Sequence, residues 1–185
     1  MKKRILTWLL AISMLGSLLT VPAGAAAVTK FSDVSDSYTA TAVETLRLMG
    51  VLDGYGDGTF RPDTVLNRAQ FCKMAVYAMD GSGELGRYST VTIFPDVKPS
   101  HWASAYINMA ARKGIISGFA DGKFKPGQTV TAGQAVTILM RGLGYKDEDM
   151  GGVWPQSYMA EAQTNGLLKS TGITSAYAGL TRAQA

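Results

Sequence analysis

The chain has 185 residues, 46% of them hydrophobic and 17% charged, with 21 Gly, a single Cys and a single His. One Cys excludes an intramolecular disulfide and a Cys-cluster metal site, and one His leaves little for His-ligated zinc. The net charge of +4 comes from 18 basic and 14 acidic residues; Lys2, Lys3 and Arg4 supply three of the basic ones, and the rest, 15 against 14, gives no electrostatic reason to expect nucleic acid.

Lys2, Lys3 and Arg4 precede an apolar run from Ile5 to Leu19, followed by Pro22 and the small-residue stretch Ala23–Ala27. A basic start, a short apolar core and an A-x-A-like exit make a secretory signal peptide over 1–25, with cleavage after Ala25 or Ala27. The apolar core is shorter than the ~20 residues that span a bilayer. The mature protein is therefore expected outside the cell, with no membrane contact after cleavage.

The remainder repeats itself. Gly50-Val51-Leu52-Asp53-Gly54-Tyr55-Gly56-Asp57-Gly58-Thr59-Phe60-Arg61-Pro62 returns without a gap 64 residues later, from Gly114 to Pro126. Phe31-Ser32-Asp33-Val34 returns as Phe94-Pro95-Asp96-Val97. A third, divergent copy keeps Trp154 and Gly166 at the spacing of Trp102 and Gly114, and closes on Leu180-Thr181-Arg182-Ala183-Gln184. It lacks the Asp-Gly-x-Phe-x-Pro segment and stops one residue past that close, so it reads as partial. The units are 31–80, 93–144 and 145–185, with 81–92 as a linker.

Each unit reads as helix, structured loop, helix. In the first, Ala42, Val43, Leu46 and Met49 fall at helical spacing. Gly50, Gly114 and Gly166 then stop a helix, each followed by an apolar residue, as a left-handed glycine at C′ requires. Asp-Gly-x-Phe-x-Pro is turn chemistry around one aromatic expected to be buried, Phe60 or Phe124. Asn67-x-x-Gln70, Thr131-x-x-Gln134 and Thr181-x-x-Gln184 are capping boxes that open the next helices. A helical hairpin cannot bury both of its faces alone, so the copies are expected to pack on one another.

The Phe-x-Asp openings, the Gly-Val-Leu-x-Gly-Tyr-x-Asp-Gly-x-Phe-x-Pro stretch and Asn67-Arg68-Ala69-Gln70 resemble the S-layer homology domain. The resemblance covers nearly everything from Phe31 onward. It implies a mainly α fold of tandem helix-loop-helix repeats, packed as a pseudo-threefold bundle with structured Gly/Asp/Pro loops. It also implies a non-catalytic surface anchor for bacteria that binds anionic, often pyruvylated, secondary cell-wall polysaccharide in grooves between units, without a cofactor. Carried over residue by residue, the implied glycan-binding residues are Arg68, Arg182, Asp33, Asp96, Trp102, Trp154, Gly54 and Gly118. Ala132 stands where copy two should have its arginine, which is expected to impair that copy's groove. Gln replaces the family's usual Glu in all three boxes.

Bland readings stand beside these. Arg68 and Arg182 fall at the first position of a helix, where a cation opposes the dipole at a cost of ~0.3–1 kcal/mol if exposed. If Arg68 serves glycan, removing it should weaken binding and spare the fold; if it serves the fold, the reverse. Asp33 and Asp96 also suit turns, Trp102 suits a gap between units, and Trp154 reads as packing. Asp53 and Asp57-Gly58 imitate the start of a calcium loop, but Tyr55 and Thr64 occupy ligand positions, so that reading fails. His101 reads as an exposed or capping residue, Cys72 as an inert core thiol, and Asp147-Glu148-Asp149 as a loop charge run. No nucleophile–base pair suggests an enzyme. Two other functions remain open: a surface-layer or adhesin component acting through protein contacts, and the anchor of a longer surface enzyme.

Overall fold

The computed structural model describes residues 30–80 and 83–185; the expected signal peptide lies outside them. Five α-helices are present among the described residues: α1 Ser37–Leu48, α2 Arg68–Asp80, α3 Ser104–Arg112, α4 Ala132–Gly142 and α5 Gln156–Thr164. Short 3-10 turns at Leu85–Tyr88 and Asp147–Asp149 complete the order. None of these helices is long and apolar enough to cross a membrane.

Local signals place the helix ends. All three capping boxes are formed: Asn67 Oδ1 and Gln70 Oε1 accept from each other's backbone N–H, and the Thr131/Gln134 and Thr181/Gln184 pairs do likewise. Gly50, Gly114 and Gly166 take φ of +73°, +71° and +76°. After each, the apolar residue donates back five positions, Val51 to Leu46, Ile115 to Ala110 and Leu167 to Ala162. These are Schellman closures that satisfy orphan helix carbonyls.

The copies close on one another around an axis. The Leu66 N–H donates to the Leu180 carbonyl at 2.9 Å, Leu180 to Val130 at 2.9 Å, and Val130 to Leu66 at 3.0 Å. All three side chains are buried there. Isolated antiparallel bridges, Val65–Thr181, Asn67–Thr129 and Thr131–Gly179, flank this triangle. Beyond it, the residues just inside each capping box donate to the next copy's loop: Arg68 and Ala69 to Gln128 and Pro126, Ala132 and Gly133 to Ala178 and Ala176, and, in a turn rather than a helix, Arg182 and Ala183 to Thr64 and Pro62. The pseudo-threefold, mainly α arrangement is thus built from main-chain bonds that side-chain divergence leaves intact.

The core sits between copies. Phe71, Cys72 and Ala75 of α2 share one cluster with Ile107 and Ala110 of α3 and with Ala135 and Ile138 of α4. Val136 and Met140 of α4 meet Tyr158 and Ala162 of α5 in another. The described end of the expected linker is docked too: fully buried Asn108 donates to the Tyr88 and Val91 carbonyls, and its oxygen accepts from the Ile93 N–H. Cys72 is buried in this core, which pushes its thiol up to about 12 and keeps it unreactive.

Candidate binding grooves between the repeats

The loop of each full copy is clasped from within. Asp33 accepts from the backbone N–H of Phe60 and Arg61, both at 2.7 Å. Asp96 does the same for Phe124 at 2.9 Å and Lys125 at 2.7 Å. Arg61 and Lys125 hold left-handed φ of 59°, a strained setting for a side-chain-bearing residue that these bonds lock in place. The Phe60 amide leads in holding the Asp33 carboxyl below its ordinary value; at Asp96 burial pushes upward, but the two amides outweigh it. Both aspartates bind their own copy's backbone, over 27 to 29 residues of sequence.

The clasped loops hold Phe60 and Phe124 in the core, against Phe31 and Phe94 at ring separations of 5.8 and 5.5 Å. Gly54 and Gly118 make room for this. A Cβ at Gly54 would collide with the Phe31 ring, and one at Gly118 would lie 2.7 Å from Phe94 and 2.9 Å from the Lys123 carbonyl.

Arg68 and Arg182 cross from one copy to the next. Arg68 is 5% exposed; its Nε donates to the Phe124 carbonyl at 2.8 Å, and its guanidinium lies over the rings of Phe119 and Phe124. Arg182 reaches copy one, donating to the Phe60 carbonyl at 2.7 Å and the Asp53 carbonyl at 3.0 Å, over the Tyr55 and Phe60 rings. Neither forms an ion pair among the described residues. Desolvation pulls both guanidinium pKa values down.

This crossing corrects the expectation for Ala132. Both arginines present equip the loop of the following copy around the axis, so copy two's loop is served by Arg68. Ala132 instead faces the third copy's loop, which has no counterpart of Phe124 to receive an arginine. The adjacent Gly133 is so tightly packed that a Cβ would meet Pro155 at 2.8 Å. The missing arginine belongs to a contact with the third copy's loop that is already tightly packed at Gly133.

Between copies two and three lies a groove of about 510 Å³, within the size range of small-ligand sites. It gathers Arg68, Gly118 and Trp154 from the expected set. Trp154 is 50% exposed, and its Nε1 donates to Thr137 Oγ1 at 3.0 Å, so the indole is anchored at one edge and bare elsewhere. Trp102 holds the matching place at the joint of copies one and two, 56% exposed and stacked on His101. The His101 ring accepts from the Ala103 N–H in the turn before α3, whose own start has no side-chain cap. The other expected residues do not line this groove: Asp33 and Asp96 clasp loops, while Arg182 and Gly54 belong to copy one's loop.

The groove also holds residues not expected from the sequence. Arg141 donates to both oxygens of Asp147, at 2.8 and 2.6 Å, and to Ser117 Oγ at 3.2 Å; the Tyr158 hydroxyl donates to Asp147 as well. The Arg141 bonds lead in holding the Asp147 carboxyl below its ordinary value. The acidic stretch is therefore not merely a charge run, since its first member ties α4 to α5. The signal was the disagreement between copies: Tyr77 stands where copy two has Arg141. No group of three His, Cys, Asp or Glu among the described residues could hold a metal ion.

A helical repeat with clasped Asp-Gly-x-Phe-x-Pro loops, closed threefold around a main-chain triangle, defines a class of tandem helical-repeat domain. The S-layer homology domain matches at residues 30–72 and 93–136, so these two repeats belong to that family. It is 38% identical over 160 residues to a cell surface protein of Thermoanaerobacter kivui, covering 85% of this chain and 20% of that protein. A middle cell wall protein of Brevibacillus brevis is 32% identical over 146 residues, covering 78% of this chain and 14% of that protein. A cellulosome-anchoring protein of Acetivibrio thermocellus is 31% identical over 115 residues, covering 61% of this chain and 26% of that protein. The chain thus spans about a quarter or less of the length of these relatives.

Proposed function

We propose that the chain is exported through a signal peptide at 1–25 and serves as a non-catalytic anchor at the bacterial cell surface, its units 31–80, 93–144 and 145–185 acting as one body that binds anionic wall polysaccharide. The observation that carries this reading is Arg68: a guanidinium almost wholly removed from water, without a carboxylate partner, at the edge of a groove with a half-bare indole. Its Nε is committed to Phe124, and a cation buried without a counter-ion costs free energy that a ligand anion offsets. Trp154 offers the apolar side of a sugar ring a flat surface, and Gly118 keeps the loop close to Phe94. Arg182 with Trp102 forms the second, more open station at the joint of copies one and two. The names of the relatives, a cell surface protein, a cell wall protein and a cellulosome-anchoring protein, support a surface address.

The test is co-sedimentation of the full chain with wall sacculi of Thermoanaerobacter kivui and Brevibacillus brevis, before and after their carboxylates are reduced to alcohols. Binding that disappears on reduction is expected. Binding that survives reduction, or is absent from untreated walls, overturns the reading.

A further inference from the structure

We propose that Arg141 and Asp147 form a sugar-hydroxyl subsite beside Arg68, so that the groove between copies two and three reads a carboxylate and a neighbouring vicinal diol together. This rests on the anionic-glycan reading above and names the part of the ligand that the reading leaves open.

The chemistry of the pair separates it from Arg68. Arg141 is already neutralised, because both oxygens of Asp147 accept from it. A second anion there would have to displace a bidentate partner, and such paired bonds are among the stronger ones proteins make. The pair is therefore a poor anion site and a good site for neutral groups. Asp147 takes three donors, two from Arg141 and one from Tyr158, which leaves a carboxylate oxygen with acceptor capacity on a side chain 64% exposed. The guanidinium, 16% exposed and tied also to Ser117, keeps N–H donors over. An acceptor and a donor held side by side match two adjacent hydroxyls, each of which both gives and takes a hydrogen bond.

The arrangement is fixed before any ligand arrives. Arg141 stands on α4, Tyr158 on α5 and Ser117 on the copy-two loop, so three elements hold one pair. The same groove holds Trp154 and Arg68. At the joint of copies one and two, Tyr77 replaces Arg141, and its hydroxyl lies 3.3 Å from that of Tyr106. Among the described residues those two hydroxyls pair with each other and no carboxylate bonds to either, so the pair found at Arg141 and Asp147 has no described counterpart at that joint.

The test compares wild type with Asp147→Asn and Arg141→Gln in full chain, using Brevibacillus brevis sacculi that are untreated, carboxyl-reduced or periodate-cleaved at vicinal diols. Wild-type binding should fall on either treatment. Asp147→Asn, nearly isosteric and on an exposed side chain, should bind untreated walls about tenfold or more weakly. Its residual binding should ignore periodate yet still vanish on carboxyl reduction. Arg141→Gln should behave alike, and thermal melts confirm that both are folded. If either folded variant binds like wild type, or stays equally sensitive to periodate, the subsite is overturned while the anchoring reading stands. If wild type ignores carboxyl reduction, the anchoring reading falls and takes this subsite with it.

Discussion

The joint between copies one and two and the joint between copies two and three share one frame and differ in chemistry. In both, the second helix of one copy packs on the first helix of the next, a tryptophan stands half exposed at the rim, and an arginine from the preceding copy lies over the loop aromatics. The first joint fills the helix contact with a Tyr77–Tyr106 pair, the second with Arg141, Asp147 and Tyr158. Packing and main-chain bonds set the frame; the residues facing the groove were left free to diverge. Substitutions that break the frame should therefore act alike at both joints, and those in the groove should not.

The largest effect is expected for the loop aromatics. Phe60→Ala and Phe124→Ala each empty a fully buried site and should cost about 3–5 kcal/mol, read from denaturant melts. A loss under ~1 kcal/mol in both would show that the loops collapse around the gap. Next come the crossing arginines. Arg68→Ala removes a charge-assisted bond and two ring contacts at a buried site and should destabilise by about 2–3 kcal/mol. Arg182→Ala, at a more open site, should cost about 1–2 kcal/mol. Equal losses would mean that burial does not separate the two latches. Neither variant spares the fold, so titration with wall glycan has to be compared at temperatures well below both melts.

An effect of similar size is expected from crowding the loops. Gly54→Ala and Gly118→Ala should each cost about 1–3 kcal/mol, because an aromatic ring must move. Gly118→Ala should be the worse, since the Lys123 carbonyl also lies within reach and backbone yields less than a ring edge. The mildest test is acid. The carboxyls of Asp33 and Asp96 titrate below their ordinary value of 3.8 in the folded protein. The unfolded chain then takes up protons first as pH drops, so their stabilisation is whole above that value and drains away below it. Melting temperature should start to fall near pH 4, and Asp96→Asn should flatten that fall. An unchanged profile would remove the clasp from the stability account.

Much of the frame was legible in the sequence because it is written locally. A capping box spans four residues and a Schellman glycine acts within a helical turn, so Asn67, Thr131, Thr181, Gly50, Gly114 and Gly166 could be read without knowing what lies nearby. The repeat itself made Phe60 and Phe124 equivalent. What could not be read was direction around the axis. Nothing in Asn67-Arg68-Ala69-Gln70 tells whether Arg68 turns to its own loop or to the next, and that choice decides which groove Ala132 affects. Asp33 and Asp96 looked like turn or ligand residues because their amide partners lie some thirty positions away. Asp147 was hidden for the same reason, its role fixed by Arg141 and Tyr158 on two different helices.

The triangle of Leu66, Val130 and Leu180 has a kinetic consequence. In an open array of repeats each unit touches only its neighbours, so ends can fray and growth can start anywhere. Here three strand-like turns drawn from distant parts of the chain must meet at one point, and the last leg ties the third copy back to the first. Loop closure has to be completed before any of those bonds is rewarded, which slows a helical protein toward the rates of non-local folds. The same closure gives each of the three copies a partner on both sides, so none is left to peel away alone. Such a module is expected to unfold in a single step, as an arch falls when one stone is drawn.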